Sequence, residues 1–564
     1  MRASFLPRIL PSALRLALFL VPTAATVTAP AAATAQAPLS ADSRARIDAV
    51  FARWDRTDSP GCSLAISQNA REVYARGYGM SDLQHAIAIT PQSIFHVASI
   101  SKQFAAYSVA LLAEDGRLTL DDDIRKFIPE IPDYGTTITI RHLIHHTSGL
   151  RDQWQLLGYA GWRFPEDLIT EQDVMRIVTR QKGTNFKPGA EWVYSNTGYT
   201  LLAVIVKRVS GKSLREFAQE RIFEPLGMTS THFHDDHAMI VLGRTSAYEP
   251  RRDGGWKISI PVFDTYGATS LFTTAGDLLK WMANLDSPMV GSKSLVAAAQ
   301  TSATLNDGTP ANYGYGLSVL TYRGLSAVGH GGADAGYRAQ VERYPGRGIA
   351  IAVLCNAASA VPNALLRNVA DVLLGSSAPS AVAMVDTVER PISAELRQRW
   401  VGTYRDTISQ SVLRIRLDGE TIKLADGRTL TPTSDTTLRL GPGALVLRSS
   451  GANTVGVTQL PRSTRELFYR KEAPFTADSA TLASFAGSYY SQELDVRYDL
   501  SVKDSTLAVF NRKLDGASMV PAFRDGFVAN FGATVQFTRN KAGMVSGFTL
   551  ADGRVRGVRF ERLP

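Results

Sequence analysis

The pattern of apolar residues changes once along this chain, near residues 376–391. Over Leu39–Gly375, strand-like apolar runs alternate with helical stretches such as Ser99–Glu114 and Gly198–Val209. The segment that follows, Ser376–Pro391, is rich in Ser, Ala and Val and is typical of a linker. Beyond it, short alternating strands are separated by Gly and Asp turns, with almost no helical periodicity. We therefore predict a mixed α/β domain followed by an all-β part.

The all-β part contains a weak internal repeat. Val401–Tyr404 recurs about 85 residues later as Ala486–Tyr489, and the hairpin-like Val412–Leu424 matches Val496–Val509. This length suffices for a small antiparallel barrel, so we predict two barrel modules, with one larger barrel as the alternative. The predicted boundaries are residues 38–375 for the mixed domain, 376–392 for the linker, and 393–475 and 476–564 for the two modules.

The N-terminus has the pattern of a cleavable secretory signal over residues 1–37. Three arginines precede the apolar run Leu16–Val21, and a tract of small residues follows it. Cleavage after Ala35 is favoured over cleavage after Ala37, because Pro38 would then follow the bond. A transmembrane anchor is disfavoured, since the apolar core is short and Pro22 interrupts it. The signal predicts a periplasmic or secreted protein.

The charge of the chain argues against a nucleic-acid partner and is compatible with an anionic surface. The formal charge is +9, and three of the arginines that contribute to it lie in the N-terminal segment. No dense Lys/Arg stripe with interleaved aromatic residues is present, so a nucleic-acid partner is not expected. The charge supports only a mild attraction to anionic surfaces such as a cell envelope.

The two cysteines, Cys62 and Cys355, both lie in strand-like runs. An oxidising compartment would permit a disulfide, and such strands also accommodate free, buried thiols. Both interpretations stay open from the sequence.

The first candidate catalytic motif is Ser99-Ile100-Ser101-Lys102, which we expect to open a helix. Residues three apart share one helical face, so the amine of Lys102 would lie beside the hydroxyl of Ser99. A desolvated lysine can be neutral and accept the proton of the serine. An N-capping serine followed by a solvated lysine is the alternative for this motif in isolation.

Two further motifs could complete a site. In Tyr194-Ser195-Asn196, an extended backbone would direct Tyr194 and Asn196 to one side, for proton relay and for holding a substrate carbonyl. In His330-Gly331-Gly332, the two glycines would let a substrate lie against a strand edge. The backbone N–H groups of Ala333 and Ser99 could together form an oxyanion hole. Each motif alone could equally be an ordinary loop or turn.

The order and spacing of the three motifs resemble those of the serine β-lactamase and penicillin-binding protein superfamily, in particular class C β-lactamases and D-Ala-D-Ala peptidases. The resemblance covers roughly residues 45–360. Connecting segments resemble this family as well: Phe95–Ala98, His145–Leu150, Pro225–Met228 and Thr273–Trp281.

The resemblance implies an α/β (α+β) penicillin-recognising serine hydrolase fold, with an antiparallel sheet flanked by helices and a helical lobe. It implies a covalent acyl-enzyme on Ser99, with acid and base work shared by Lys102 and Tyr194, and no cofactor or metal. Which of the two takes the first proton stays open. The residues implied to bind substrate are Asn196, His330, Gly331 and Gly332.

One departure concerns the third motif. β-lactamases of this group usually carry Lys-Thr-Gly there, and its lysine helps to hold the substrate carboxylate. His330 stands in that position here, as in relatives that act as D-aminopeptidases, D-carboxypeptidases or esterases. A neutral imidazole binds a carboxylate less strongly, so efficient β-lactam hydrolysis is not expected. The overall layout resembles D-aminopeptidases, which carry two lipocalin-like barrels and shape the substrate pocket with a loop from the last barrel.

A competing metal signal occurs in the sequence. The run His232-Phe233-His234-Asp235-Asp236-His237 fits a zinc-ligand pattern of metallo-β-lactamase-type hydrolases. That fold needs further ligands downstream, where His330 is the one histidine left and already belongs to the third motif. A second metal-like run, His142-x-x-His145-His146, occupies a position that is structural in the serine family.

We therefore expect an exported serine hydrolase that acts on small peptide, amide or ester substrates, of D-aminopeptidase, D-carboxypeptidase or esterase type. The alternatives are a catalytically weak protein that binds peptidoglycan fragments or penicillin, a β-lactamase, and a zinc hydrolase. The sequence leaves the oligomeric state open.

Overall fold

The structure is a computed structural model that describes residues 39–375, 389–441, 443–450, 453–460, 467–511, 513–514 and 516–564. The predicted signal segment and most of the predicted linker lie outside the described residues. The helices are α1 Ala41–Phe51, α2 Ser101–Glu114, α3 Ile140–Ile144, α4 Gln153–Tyr159, α5 Glu171–Val178, α6 Asn196–Ser210, α7 Leu214–Ala218, α8 Ala275–Asn284, α9 Lys293–Ala299, α10 Pro362–Leu374, α11 Ala394–Trp400 and α12 Ser479–Phe485.

The strands of the mixed domain are β1 Cys62–Gln68, β2 Arg71–Tyr78, β3 Met80–Asp82, β4 Ile87–Ala88, β5 Phe95–His96, β6 Ile169–Thr170, β7 His232–Phe233, β8 Tyr248–Pro250, β9 Trp256–Ile258, β10 Phe263–Asp264, β11 Leu271–Thr273, β12 Ser318–Tyr322, β13 Leu325–Asp334, β14 Tyr337–Tyr344 and β15 Ile349–Cys355. Six of them form an antiparallel sheet in the order β12-β13-β14-β15-β1-β2.

Strand β15 shows how the sequence builds this sheet. All seven of its residues are buried, because it lies between β14 and β1 and is covered on both faces. Ile351 and Val353 belong to the core shared with α1 and α10, whereas Ala352 and Leu354 belong to the core on the other face, where α8 packs. Successive strand residues point to opposite faces, so one apolar run supplies both cores.

The helical lobe is organised around α2. Twelve of its 14 residues are buried, and it packs against α6. Helix α6 is likewise buried over its first three turns and ends at Gly211, whose φ of 77° provides the left-handed C-cap. The predicted arrangement of an antiparallel sheet flanked by helices and joined to a helical lobe is confirmed. None of the helices among the described residues is long and apolar enough to span a membrane.

The C-terminal part forms two closed barrels of eight strands each. The first consists of β16 Gly402–Arg405, β17 Val412–Asp418, β18 Thr421–Leu424, β19 Thr429–Ser434, β20 Thr437–Leu440, β21 Gly443–Ser450, β22 Asn453–Leu460 and β23 Leu467–Lys471. The second consists of β24 Gly487–Ser491, β25 Val496–Lys503, β26 Thr506–Phe510, β27 Ala517–Phe523, β28 Gly526–Ala529, β29 Thr534–Arg539, β30 Val545–Ala551 and β31 Val558–Arg562. The prediction of two barrels, rather than one larger barrel, is confirmed.

The repeated segments lie where a short helix leads into the first strand of each barrel. The short helices α11 and α12 each end in a fully buried aromatic residue, Trp400 or Phe485. Four residues later a buried tyrosine donates its hydroxyl proton back to the carbonyl of that residue, Tyr404 to Trp400 at 2.8 Å and Tyr489 to Phe485 at 2.7 Å. The sequence pattern did not indicate these helices, because seven residues are too few for a helical period to show.

A disulfide joins Cys62 on β1 to Cys355 on β15, at a sequence separation of 293. The two residues lie directly opposite each other in the antiparallel pair, with a Cα–Cα distance of 4.0 Å. Of the two interpretations open from the sequence, the structure has the paired one.

Candidate active site

Ser99 lies at the junction of the sheet and the helical lobe. It occupies a single 3₁₀ turn, Ala98–Ile100, that leads directly into α2. The preceding residue, Ala98, has a φ of 47°, a conformation that residues with a Cβ rarely adopt. Such strained backbone persists where surrounding contacts enforce it, and it is frequent at functional sites. The regular α-helix therefore begins two residues later than expected, at Ser101.

The amine of Lys102 lies one turn further along and contacts three groups. Its Nζ is 3.0 Å from Ser99 Oγ, 2.8 Å from Asn196 Oδ1 and 2.6 Å from the carbonyl oxygen of Ala268. The side chain is fully buried. The expected pairing of Ser99 with Lys102 is present, and the solvated lysine considered as the alternative is not.

These contacts fit either protonation state of the amine, and burial favours the neutral one. Burial lowers the pKa of Lys102 well below its usual value, although the charge of Asp152 opposes this shift. A neutral amine has two N–H groups and one lone pair. In the neutral form, the oxygens of Asn196 and Ala268 accept from the two N–H groups, and the lone pair is left for the hydroxyl proton of Ser99. The geometry therefore suits removal of that proton.

Tyr194 and Asn196 reach the same cleft from the start of α6. The amine of Lys102 lies 4.8 Å from the centroid of the Tyr194 ring. Burial raises the pKa of the Tyr194 phenol, and interactions with Ser99 and with the charge of Arg554 partly oppose this. The phenol is therefore protonated at neutral pH and can serve as a proton donor.

The amide of Asn196 is held by protein groups at both ends. Its oxygen faces Lys102, while its Nδ2 and backbone N donate to one carboxylate oxygen of Asp152 at 2.8 Å and 2.6 Å. Asp152 itself is completely buried. This chain of contacts orients the acceptor of Asn196 towards Lys102, and the expected contact of Asn196 with a substrate carbonyl stays a prediction.

His330 lies on β13 and is neutral at pH 7. Burial, followed by the charge of Lys102, lowers the pKa of its imidazole to about 4. Nδ1 is 2.5 Å from the carbonyl oxygen of Gly331, which can only accept, so this nitrogen carries the proton. Nε2 then accepts from the hydroxyl of Tyr313 at 2.8 Å. The imidazole ring centroid lies 6.2 Å from that of Tyr194.

Gly332 allows β13 to pass directly beside the turn that carries Ser99. A Cβ at this position would lie 2.1 Å from the backbone oxygen of Val97, which no side chain could tolerate. The glycine thus brings two backbone segments together, in addition to any role in admitting a substrate. Ala333, the predicted oxyanion-hole residue, is the next residue on this strand.

The predicted zinc run does not converge on one point. His232 and His234 are packed against the ring of Phe272, with ring centroids 5.6 Å and 4.6 Å from it. In the described part of the chain, Asp236 and His237 instead meet Asp264 at the surface, forming the one group of three His, Cys or acidic ligands. The histidines of the second run do not face a common point either, because His142, His145 and His146 each form a hydrogen bond with a different backbone group.

A loop from the second barrel covers the cleft. Residues 552–557 connect β30 to β31, and the carbonyl of Arg554 accepts from the backbone N of Asp152 at 3.2 Å and from Asn185 Nδ2 at 2.7 Å. The guanidinium carbon of Arg554 lies 4.9 Å from the centroid of the Tyr194 ring. Two residues on, the guanidinium of Arg556 forms two hydrogen bonds of 3.1 Å to Glu191.

Sequence reasoning missed two residues of this site. Asp152 comes two residues after the family-like segment His145–Leu150, so its closeness to that segment was the one available signal. Arg554 lies more than 400 residues beyond Ser99, in a region without a recognisable motif. Only the docking of the barrel onto the lobe places it at the cleft.

Comparisons with known proteins agree with this arrangement. The D-aminopeptidase of Brucella canis is 25% identical over 531 residues, which are 89% of this chain and 96% of that protein. The D-aminopeptidase of Cereibacter sphaeroides is 27% identical over 453 residues, covering 79% and 82% of the two chains.

Solved structures share the fold. The penicillin-binding protein homologue from Pyrococcus abyssi has a TM-score of 0.56 and 24% identity, covering 76% of this chain and 99% of its own. The D-amino acid amidase of Ochrobactrum anthropi SV3 has a TM-score of 0.50 and 24% identity, covering 59% and 98%. The Beta-lactamase family model matches residues 47–375, more than half of the chain. The protein therefore belongs to the beta-lactamase family and is a serine hydrolase of that fold.

Proposed function

We propose that the protein forms an acyl-enzyme on Ser99 and hydrolyses small peptides, amides or esters, with a D-amino acid residue in the preferred substrates. The observation that carries this proposal is the contact set of Lys102, which leaves a lone pair for the hydroxyl of Ser99. The D-aminopeptidases that align with nearly the whole chain support the preference for D residues.

In acylation, Ser99 Oγ attacks the carbonyl carbon of the substrate, and its proton passes to Lys102 Nζ. A bond forms between Oγ and carbon while the carbonyl π electrons move onto oxygen. The backbone N–H groups of Ser99 and Ala333 are the proposed donors to this oxyanion. The tetrahedral intermediate then collapses, the bond to the leaving group breaks, and the phenol of Tyr194 supplies the proton that the leaving nitrogen or oxygen takes.

Deacylation reverses these roles. A water molecule attacks the ester carbon of the acyl-enzyme and gives up a proton to the deprotonated Tyr194. The bond between the acyl carbon and Ser99 Oγ breaks, the acid product leaves, and protonated Lys102 returns a proton to the serine. The cycle consumes one water and needs no redox partner.

Covalent labelling tests this proposal. The protein is incubated with a fluorophosphonate and, separately, with a penicillin, and adducts are located by intact mass and peptide mapping. We expect an adduct on Ser99, no adduct in Ser99→Ala, and unchanged labelling in Ser195→Ala. Ser195 is a suitable control because its hydroxyl is buried beside the cleft and has no hydrogen-bond partner among the described residues. A folded protein that neither reagent modifies would favour a silent binding protein, and activity lost on chelation would favour a zinc hydrolase.

We also propose that the protein is exported and that its signal is removed. The charged start, short apolar core and small-residue tract of residues 1–37 support this. Expression in a bacterium with a periplasm should give a mature chain that begins at Gln36, or at Pro38 if the second site is used. Mass spectrometry of the periplasmic fraction measures this directly, and an intact N-terminus in the cytoplasm would contradict export.

A further inference from the structure

The guanidinium of Arg554 is a charge at the cleft that no protein carboxylate neutralises. Within the described residues it forms no ion pair and its side chain makes no hydrogen bond, whereas its neighbour Arg556 is paired with Glu191. Arg151, which also contacts this loop, is paired with Glu493. Arg554 is exposed, and its guanidinium lies over the ring of Tyr194.

The backbone that carries this charge is held in place. The carbonyl of Arg554 accepts from Asp152 and Asn185, and its own N–H donates to Asp552 at 2.6 Å. Val555, the next residue, is completely buried. The guanidinium therefore projects from a fixed point, and contact with a substrate group costs little ordering of the loop.

Burial disfavours the charged forms of three other basic groups of the cleft. Burial lowers the pKa of Lys102, His146 and His330, so all three favour their neutral forms. An arginine side chain remains protonated at every physiological pH. The third motif thus offers an uncharged imidazole, and the permanent positive charge comes from the barrel loop.

Tyr194 indicates which part of the substrate would meet this charge. Its ring lies near both basic groups, 4.8 Å from Lys102 Nζ and 4.9 Å from the guanidinium carbon of Arg554. In the proposed reaction its phenol protonates the leaving group, which must therefore lie beside this ring. A carboxylate on that leaving group is within the reach of a guanidinium, which pairs with carboxylates through two parallel hydrogen bonds.

We propose that Arg554 is a specificity-determining residue that binds the carboxylate of the leaving group, so that the enzyme prefers to release a C-terminal amino acid. This inference rests on the proposed function and deepens it, since it favours carboxypeptidase-type cleavage over release of an N-terminal residue. An ammonium group placed beside Arg554 would be repelled.

Two substrates with the same scissile bond test the proposal: an N-acyl-D-alanyl-D-alanine with a free carboxylate, and the same peptide with a C-terminal amide. We expect the wild-type protein to prefer the acid in kcat/KM. Arg554→Gln should lower the acid-to-amide ratio of kcat/KM about tenfold to a hundredfold, the size of one charge-assisted contact. Arg554→Lys should retain part of the preference, because it keeps the charge but not the planar fork.

Arg559→Gln is the matched control, since Arg559 is an exposed arginine on β31 just beyond the same loop. It should leave both values unchanged. Protection of Ser99 from the fluorophosphonate by the acid and by the amide gives the same comparison without turnover. Normal labelling of Ser99 with an acid-to-amide ratio that Arg554→Gln does not alter would overturn this inference alone. Absence of any Ser99 adduct would overturn the proposed function itself.

Discussion

Lys102→Ala is expected to lower kcat/KM for a D-aminoacyl amide by about 10⁴-fold or more, the loss typical when a catalytic unit loses its base. In its neutral form, the buried amine is the group whose lone pair faces the hydroxyl of Ser99. Steady-state kinetics measure the effect, and the rate of fluorophosphonate labelling of Ser99 should fall with it.

Two controls separate this chemical effect from loss of fold. Lys207→Ala removes an exposed lysine of α6 and should leave the kinetics unchanged. Circular dichroism should show that Lys102→Ala retains its secondary structure. Labelling of Ser99 at the wild-type rate in a folded Lys102→Ala protein would mean that another group takes the proton.

The pKa of Lys102 sets the direction in which activity depends on pH. Burial lowers the pKa of Lys102, the charge of Asp152 raises it and the charge of Arg554 lowers it. Activity requires the neutral amine, so it falls as the pH drops through this lowered pKa. In the profile of kcat/KM, Asp152→Asn should therefore move the acid limb to lower pH, and Arg554→Gln should move it to higher pH. Shifts of the same sign in both variants would contradict this account.

Glu493→Ala is expected to destabilise the protein by about 3–5 kcal/mol, because it leaves a buried guanidinium without its carboxylate partner. Glu493 lies in the turn between β24 and β25 and bonds Arg151 of the lobe at 2.5 Å, with side-chain exposures of 4% and 6%. It also accepts from the backbone N of Lys182 at 2.9 Å and of Arg559 at 3.1 Å. Urea unfolding measures the loss, and limited proteolysis should show a loosened second barrel.

Asp495→Ala is the matched control at the same interface. Asp495 pairs with Arg180 at 2.6 Å, but the side chains are 52% and 40% exposed, so the expected loss is below about 1 kcal/mol. Equal losses in the two variants would show that burial does not govern this contact.

Lowering the pH should also weaken the ion pair between Glu493 and Arg151. Burial alone would raise the pKa of Glu493, but the charge of Arg151 and the backbone hydrogen bonds outweigh it and lower the pKa below the usual 4.5. The folded protein thus favours the carboxylate more than the unfolded chain does. The resulting stability is fully present above pH 4.5 and is lost as the pH falls through the lowered pKa. Glu493→Gln should not show this loss.

Several features of the fold and site followed from local patterns. Ser99 and Lys102 are three residues apart at a helix start, so helical geometry alone makes them neighbours. The apolar run around Cys355 indicates a strand, and the structure has β15 there. The repeated Gly-x-Tyr segments belong to two copies of one barrel unit, and each copy closes its sheet with nearby strands.

Other features had no local pattern. The pairing of Cys62 with Cys355 depends on the antiparallel alignment of two strands at opposite ends of the domain. The neutrality of Lys102 depends on burial by segments far apart in sequence, among them Asn196 and Ala268. No property of the Ser99–Lys102 motif by itself distinguishes a buried lysine from a solvated one.

The sequence by itself determined the types of chemistry available: a serine, a lysine and a tyrosine in an order that resembles one hydrolase family, followed by two barrels. The tertiary structure decided the electrostatics and the boundary of the cleft. It removed Lys102 from water and placed Arg554 against Tyr194. Both outcomes arise from contacts between segments tens to hundreds of residues apart. Desolvation and long-range docking depend on the whole packed structure, so no local sequence pattern reveals them.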